Sequence, residues 1–274
     1  MKWEIPELVG ELRLDGERKV LFVEGNADLA LWRSLLPEGE RGNVVVYPIA
    51  VVAVAADGGE RGRLIELARV VSTLGLAHRV HFFADADFDR LLGREVPDSV
   101  SLTDGRDRES YLLLCDGIEE VCCGEACPIE AARKTKNFLT ESGLPIAVLR
   151  VASERLELKL PFQKTLEKGI GRFMDRKAER LMPKRFKEAV FQNGPGLGAM
   201  RDFHMEMEEI VRGLEAEPVH ELLHGRDLLL LLAWKHEWRL PETERIVSMA
   251  LRAKAREIAN MPSVAGVIRW AKAA

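Results

Sequence analysis

The sequence predicts an α/β fold: a parallel-sheet domain over residues 1–125, followed by a mainly helical region over residues 126–274. Three observations carry that prediction. In the first half, short apolar β-rich runs alternate with helical stretches, the rhythm of strands joined by helical crossovers. From about Arg108 onward, apolar residues recur almost everywhere with helical spacing. Charge divides along a similar line. Residues 1–130 carry 14 Lys+Arg against 25 Asp+Glu and residues 131–274 carry 26 against 19, so −11 and +7 make the net −4. A basic half beside an acidic one suggests two jobs, with a nucleic-acid or membrane contact on the basic one.

"KVLFV" (Lys19–Val23) is a buried strand that ends at Glu24-Gly25 and passes into the helical run "ADLALWRSLL", stopped by Pro37. "NVVVYPI" (residues 43–49) is a second strand. "RGRLIELARVVSTLG" places Leu64, Leu67, Ala68 and Val71 on one helical face and closes on Gly75. "RVHFFA" (residues 79–84) and the shorter "SVSLT" (residues 99–103) are further strands. After them "RESYLLL", "PIEAARKTKNFL", "FKEAVF", "MRDFHMEMEEIVRGL", "RDLLLLLAWKH" and "PETERIVSMALRAKAREI" all carry helical periodicity. "QNGPGLG" (residues 192–198) suits a turn and lacks the Lys-Ser/Thr of a nucleotide-cradling loop.

Composition narrows the class. With 47% hydrophobic and 31% charged residues over 274 positions, the chain is globular rather than disordered. Runs such as "LLLLLAW" are far short of a membrane span, and the acidic, proline-interrupted start is unlike a secretory signal. A cytoplasmic protein with no membrane partner is expected. Cys115, Cys122, Cys123 and Cys127 fit no common zinc spacing and are expected to be reduced, buried or half-buried thiols.

Two stretches suggest chemistry. Asp85, Asp87 and Asp89 alternate with Ala86 and Phe88 directly after a hydrophobic strand. The period of two puts Asp85 and Asp87 on one side at the strand's end. Carboxylates so close repel unless a cation or a basic group compensates them. Glu24 stands in the equivalent place after "KVLFV", and sites in open α/β sheets form outside the carboxyl ends of the strands. Oxygen ligands from two strand ends suit Mg²⁺ or Mn²⁺, and such an ion suits phosphodiester cleavage. The plainer alternative is a set of solvated turn acids capping a helix.

The second stretch is "VHELLHG" (residues 219–225), where His220-Glu221-x-x-His224 has the spacing of a zinc peptidase. Gly225 follows at once, where such a helix normally continues, and no third histidine stands at the extended spacing. These residues are assigned to a helix turn, with a zinc metallopeptidase as a lesser alternative. Residues 161–190 hold nine Lys+Arg and four acids. Lys184 and Arg185 there are candidate phosphate contacts, and an intermixed solvated helical face is the alternative.

"VLFVEGNADLALW" followed by "HFFADADFD" resembles the Toprim family: a glutamate-glycine closes the first strand and an Asp-x-Asp closes a later one. "SLTDGRDRESYLL" (residues 101–113) and "HGRDLLLLL" (residues 224–232) are similar to segments of one Toprim branch. That branch holds the nuclease subunit of the PARIS anti-phage system (AriB-like proteins) and, more distantly, the overcoming-lysogenization-defect nucleases. Arg226 departs from it, standing where the branch often has lysine.

The resemblance implies a Toprim-like N-terminal domain. It makes Glu24 a metal ligand or general base, with Asp85 and Asp87 holding Mg²⁺ or Mn²⁺. Asp28, Asp89 and Glu109 become outer ligands, although Asp28 has an equal claim as a helix cap. It implies a metal-dependent nuclease, the toxic effector of an anti-phage system, held inactive by an AAA-type ATPase partner. RNA, with tRNA as a candidate, is the substrate once the nuclease is released. A DNA-directed Toprim nuclease is the alternative, and a homodimer is compatible with either.

Overall fold

The computed structural model describes residues 2–39, 42–124, 128–214 and 217–273. The chain divides into two compact units, residues 1–108 with 251–274, and residues 109–250. The sequence places a single break after residue 125. The chain instead leaves the first unit at Arg108 and returns to it at Leu251. Helical periodicity announces the last helices but not the core they join. In the first unit Ser263 donates its backbone N–H to Asp104 Oδ1 at 2.7 Å, and the Trp270 indole donates to the His78 carbonyl at 3.2 Å.

The first unit begins with α1 (Ile5–Leu14), which the sequence reading did not foresee. Pro6 sits in its first turn, where a missing N–H does no harm. The Glu4 backbone N–H donates to the Glu7 carboxylate at 2.9 Å, and Leu8 and Leu12, one turn apart, are buried. Then follow β1 (Lys19–Val23), α2 (Asn26–Leu35), β2 (Val44–Pro48), α3 (Gly59–Thr73), β3 (Val80–Ala84) and β4 (Val100–Leu102). The strands form one sheet in the order β2-β1-β3-β4, and every pairing is parallel.

The expected four strands are therefore present, β1 with the expected bounds and the other three shorter by one residue at one or both ends. Parallel strands covered on both faces read as continuous apolar runs, and Val20 to Val23 are all buried. Phe22 stacks on Phe82 across β1 and β3, with centroids 5.6 Å apart, and α3 adds Leu64, Leu67, Ala68 and Val71 to the same core. From β1 the chain steps outward to β2, then returns to place β3 on the other side of β1. In open α/β sheets such a reversal is where ligands bind, here at the carboxyl ends of β1 and β3.

The second unit is almost entirely helical, as the periodicity predicts. Its longest helix, Ile129–Arg155, is joined by Phe162–Glu167, Pro183–Gln192, His204–Gly213 and Gly225–His236. A two-residue antiparallel pairing, Met174–Asp175 with Arg180–Leu181, is its only β element among the described residues. Gly143 lets the long helix approach Leu223, whose side chain would stand 2.5 Å from a Cβ placed there. Leu228 to Leu232 are all buried, so the apolar run "LLLLL" is core. No described helix is long and apolar enough to cross a membrane.

Candidate functional site

Glu24 follows the last residue of β1 and Asp85 the last residue of β3, and these strands are in register at Val23 opposite Phe83. The Asp85 backbone N–H donates to Glu24 Oε1 at 2.9 Å, tying the two strand ends together. β3 stops at Ala84, so strand alternation does not set the direction of Asp87. Asp87 adopts a left-handed conformation (φ 48°), and its N–H donates to the Arg106 carbonyl at 2.7 Å. An aspartate tolerates that backbone where a branched residue would be strained. Asp89, buried, begins the single turn Asp89–Leu92. The loop beneath is pinned by Thr103, whose hydroxyl accepts the Ala86 N–H at 3.0 Å and donates to the Gly105 carbonyl at 2.8 Å.

The group that gathers these acids is Arg61, in the first turn of α3. Its Nη1 lies 3.5 Å from Glu24 Oε1 and also donates to the Asp85 carbonyl. Its Nε lies 3.5 Å from Asp87 Oδ2, and its Nη2 is paired with Asp89 Oδ2. Arg94 stands 3.9 Å from the other oxygen of Asp89. The Arg108 backbone N–H donates to Asp85 Oδ1 at 3.1 Å, and the Arg108 guanidinium lies 3.6 Å from Asp28 Oδ1. Asp28 Oδ2 accepts the Gly25 N–H at 3.0 Å, which is the helix-capping role weighed for it.

Burial is the chief reason the Glu24 carboxyl is pushed up to about 7. The Asp85 N–H and Arg61 draw it down, while Asp28 and Asp87 push it up again. The carboxylate oxygens are of the type that Mg²⁺ or Mn²⁺ takes, so the donor set fits such an ion in kind. The carboxylates of Glu24, Asp87 and Asp89 turn toward Arg61, and that of Asp85 toward the Arg108 N–H. Among the described residues, no group of three or more His, Cys, Asp or Glu is arranged to hold a metal.

The other candidates lie in the second unit. Glu109, half-buried, stands in the short turn Arg108–Ser110. Lys184 and Arg185 are exposed at the start of the helix Pro183–Gln192. With Arg180 they border an open depression of about 930 Å³ where Glu141, Asp175 and Glu188 match their charge. His220 and Glu221 lie in a single turn, Val219–Leu222, after which Leu223 is extended (ψ 128°). His224 caps the next helix, its Nδ1 accepting the Arg226 N–H at 2.9 Å. The two histidines thus belong to different elements, and the helix face a zinc peptidase needs is not formed. Cys115 and Cys122 are buried and Cys123 half-buried, and burial pushes the Cys122 thiol up to about 12. Cys127 lies outside the described residues.

Sequence reasoning missed Arg61, Arg106 and Arg108. The signals were present: "DGGERG" opens a helix with two glycines, and the crowding of the aspartates calls for a basic group. No protein-family model matches the chain, and no curated protein matches it either.

Proposed function

We propose that the protein is a divalent-metal-dependent nuclease of the Toprim type, with its reacting centre at the carboxyl ends of β1 and β3. The observation that carries this reading is the 2.9 Å hydrogen bond from the Asp85 N–H to Glu24. It brings two acids, separated by 61 positions, to one point at the reversal in strand order, where ligands of open α/β sheets bind.

Glu24, Asp85 and Asp87 are the residues that would hold Mg²⁺ or Mn²⁺, with Asp89 behind them. The bound ion would polarise a phosphoryl oxygen and acidify a water. Glu24, half-buried and with its carboxyl pushed up to about 7, would alternatively take the proton of the attacking water as general base. Thr103 and the Arg106 carbonyl fix the turn that aims Asp87. The resemblance adds RNA, with tRNA foremost, as substrate, an AAA-type ATPase as the restraining partner, and the role of toxic effector in anti-phage defence.

The test uses purified wild-type and E24Q proteins with Mn²⁺ or Mg²⁺, offered mixed tRNA and linear or supercoiled DNA. Removal of a positioned proton acceptor is expected to slow cleavage by about 10²–10⁴-fold, with E24Q still folded. Fragments from DNA and none from tRNA select the DNA-directed reading. Undiminished cleavage by folded E24Q overturns the site.

A further inference from the structure

We infer that Arg61 is the resident counter-cation of the strand-end cluster, competing with a divalent ion for the same carboxylates and so setting the metal concentration at which the site loads. The inference rests on the reading of this cluster as a metal site and concerns how that site is controlled.

Geometry separates Arg61 from an ordinary ion-paired arginine. Its three nitrogens each face a different acid: Nη1 faces Glu24, Nε faces Asp87 and Nη2 faces Asp89. Two of these approaches are 3.5 Å, longer than a charge-assisted hydrogen bond of about 2.7–2.9 Å. One guanidinium is thus stretched over three carboxylates and a carbonyl, in the way a central ion draws ligands from several directions. The Arg61, Glu24 and Asp89 side chains are 18%, 19% and 10% exposed, so water screens them poorly, while Asp87, 45% exposed, opens the cluster to solvent. Without a cation, the gathered acids would repel strongly. Arg61 supplies that cation at the centre, with Arg94 3.9 Å from Asp89 and Arg108 3.6 Å from Asp28 at the rim.

The backbone brings Arg61 in. Gly58 and Gly59 are both left-handed (φ 85° and 67°), and a Cβ at Gly62 would lie 1.7 Å from the Asp57 carbonyl. The turn before α3 is therefore built for glycine at 62, and it directs the first helical turn at the acids. An arginine cannot be discharged by losing a proton at ordinary pH. A divalent ion must displace it bodily, and its long flexible stem allows withdrawal without moving α3. Any population in which Arg61 holds the acids lowers the apparent metal affinity in proportion.

The experiment titrates Mn²⁺ into wild type, R61Q, R61K and E24Q, reading free Mn²⁺ by electron paramagnetic resonance and following thermal midpoints in parallel. R61Q is expected to bind Mn²⁺ about tenfold more tightly than wild type or better, equivalent to about 1.4 kcal/mol. Its metal-free form should melt earlier, and Mn²⁺ should restore it. R61K keeps the charge needed for folding, but its compact ammonium cannot span three acids, so its affinity should fall between the two. E24Q should bind weakly. If neither Arg61 variant exceeds wild type while E24Q still weakens binding, the competition is overturned and the metal site stands. If all four proteins bind alike, or none binds, the cluster is no metal seat and both readings fall.

Discussion

Arg61 in the first unit and Arg150 in the second are both held by carboxylates, but one is shared among several acids and the other meets a single one. Arg150 faces a single acid: its Nε and Nη2 lie 2.6 and 2.7 Å from the two oxygens of Asp227. The Phe162 ring lies 4.6 Å from the same guanidinium, and the Asp227 side chain is 1% exposed. Such a bidentate, balanced pair behaves as a piece of the core. Arg61 is shared among Glu24, Asp87 and Asp89, so these three acids divide one guanidinium between them, with Arg94 3.9 Å from Asp89.

The contrast also places the segment "HGRDLLLLL". Arg226 pairs with Glu167 at 3.1 Å and with Glu244, and Asp227 takes Arg150. In the structure this segment ties the second unit together.

The largest expected effect tests the closed pair. D227N removes the charge that balances the half-buried Arg150 and should lower unfolding free energy by about 3–5 kcal/mol. The double replacement R150M with D227L should lie much closer to wild type, because it removes both charges. A mild loss in D227N, measured by urea unfolding, would erase the distinction between the two arginines.

Acid sensitivity of the first unit comes next. His81 is half-buried against Trp270, with Nε2 2.9 Å from Ser101 Oγ, and burial lowers its pKa from 6.5 to about 4. The unfolded chain therefore binds this proton more readily than the folded one. The contribution is fully present above pH 6.5 and lost as pH falls toward 4, a change of roughly 2–3 kcal/mol. H81L should flatten stability over that window. An unchanged acid slope in H81L would show that His81 does not set it.

Glu24 sharpens the comparison from the other side. Its pKa is raised from 4.5 to about 7, chiefly by burial, so the fold favours the protonated form. That contribution is present below pH 4.5 and lost as pH rises through 7. At pH 8 the buried charge costs the fold roughly 1–3 kcal/mol. E24Q should therefore melt later than wild type at pH 8 and together with it at pH 4, with Mn²⁺ narrowing the gap. A less stable E24Q at pH 8 would mean the cluster is as well compensated as the Arg150 pair.

The smallest change is expected at the exposed cations. K184E with R185E should shift stability by no more than about 0.5 kcal/mol. It should weaken tRNA binding across sequences and make its salt dependence shallower. Wild-type affinity and salt slope in this variant would assign the segment to a solvated helix face.

The sequence by itself determined the strands, because a strand buried on both faces must be an apolar run, and "KVLFV" and "VHFFA" are read that way without any partner. It also determined that acids stand at the ends of β1 and β3, since Glu24 and Asp85 directly follow those runs. Helical spacing likewise gave the character of the second unit. Only the tertiary structure decided that residues 251–274 complete the first unit, since periodicity says which face of a helix is apolar and not which core receives it. Only it separated His220 from His224, because an extended Leu223 is a local backbone choice that the His-Glu-x-x-His spacing does not encode. It alone put Arg61 among the acids. Arg61 lies 37 positions from Glu24, and what joins them is the path of the chain through β2 and the glycine turn before α3. Charge crowding can demand a cation from the sequence, but which side chain answers depends on reach and direction in space.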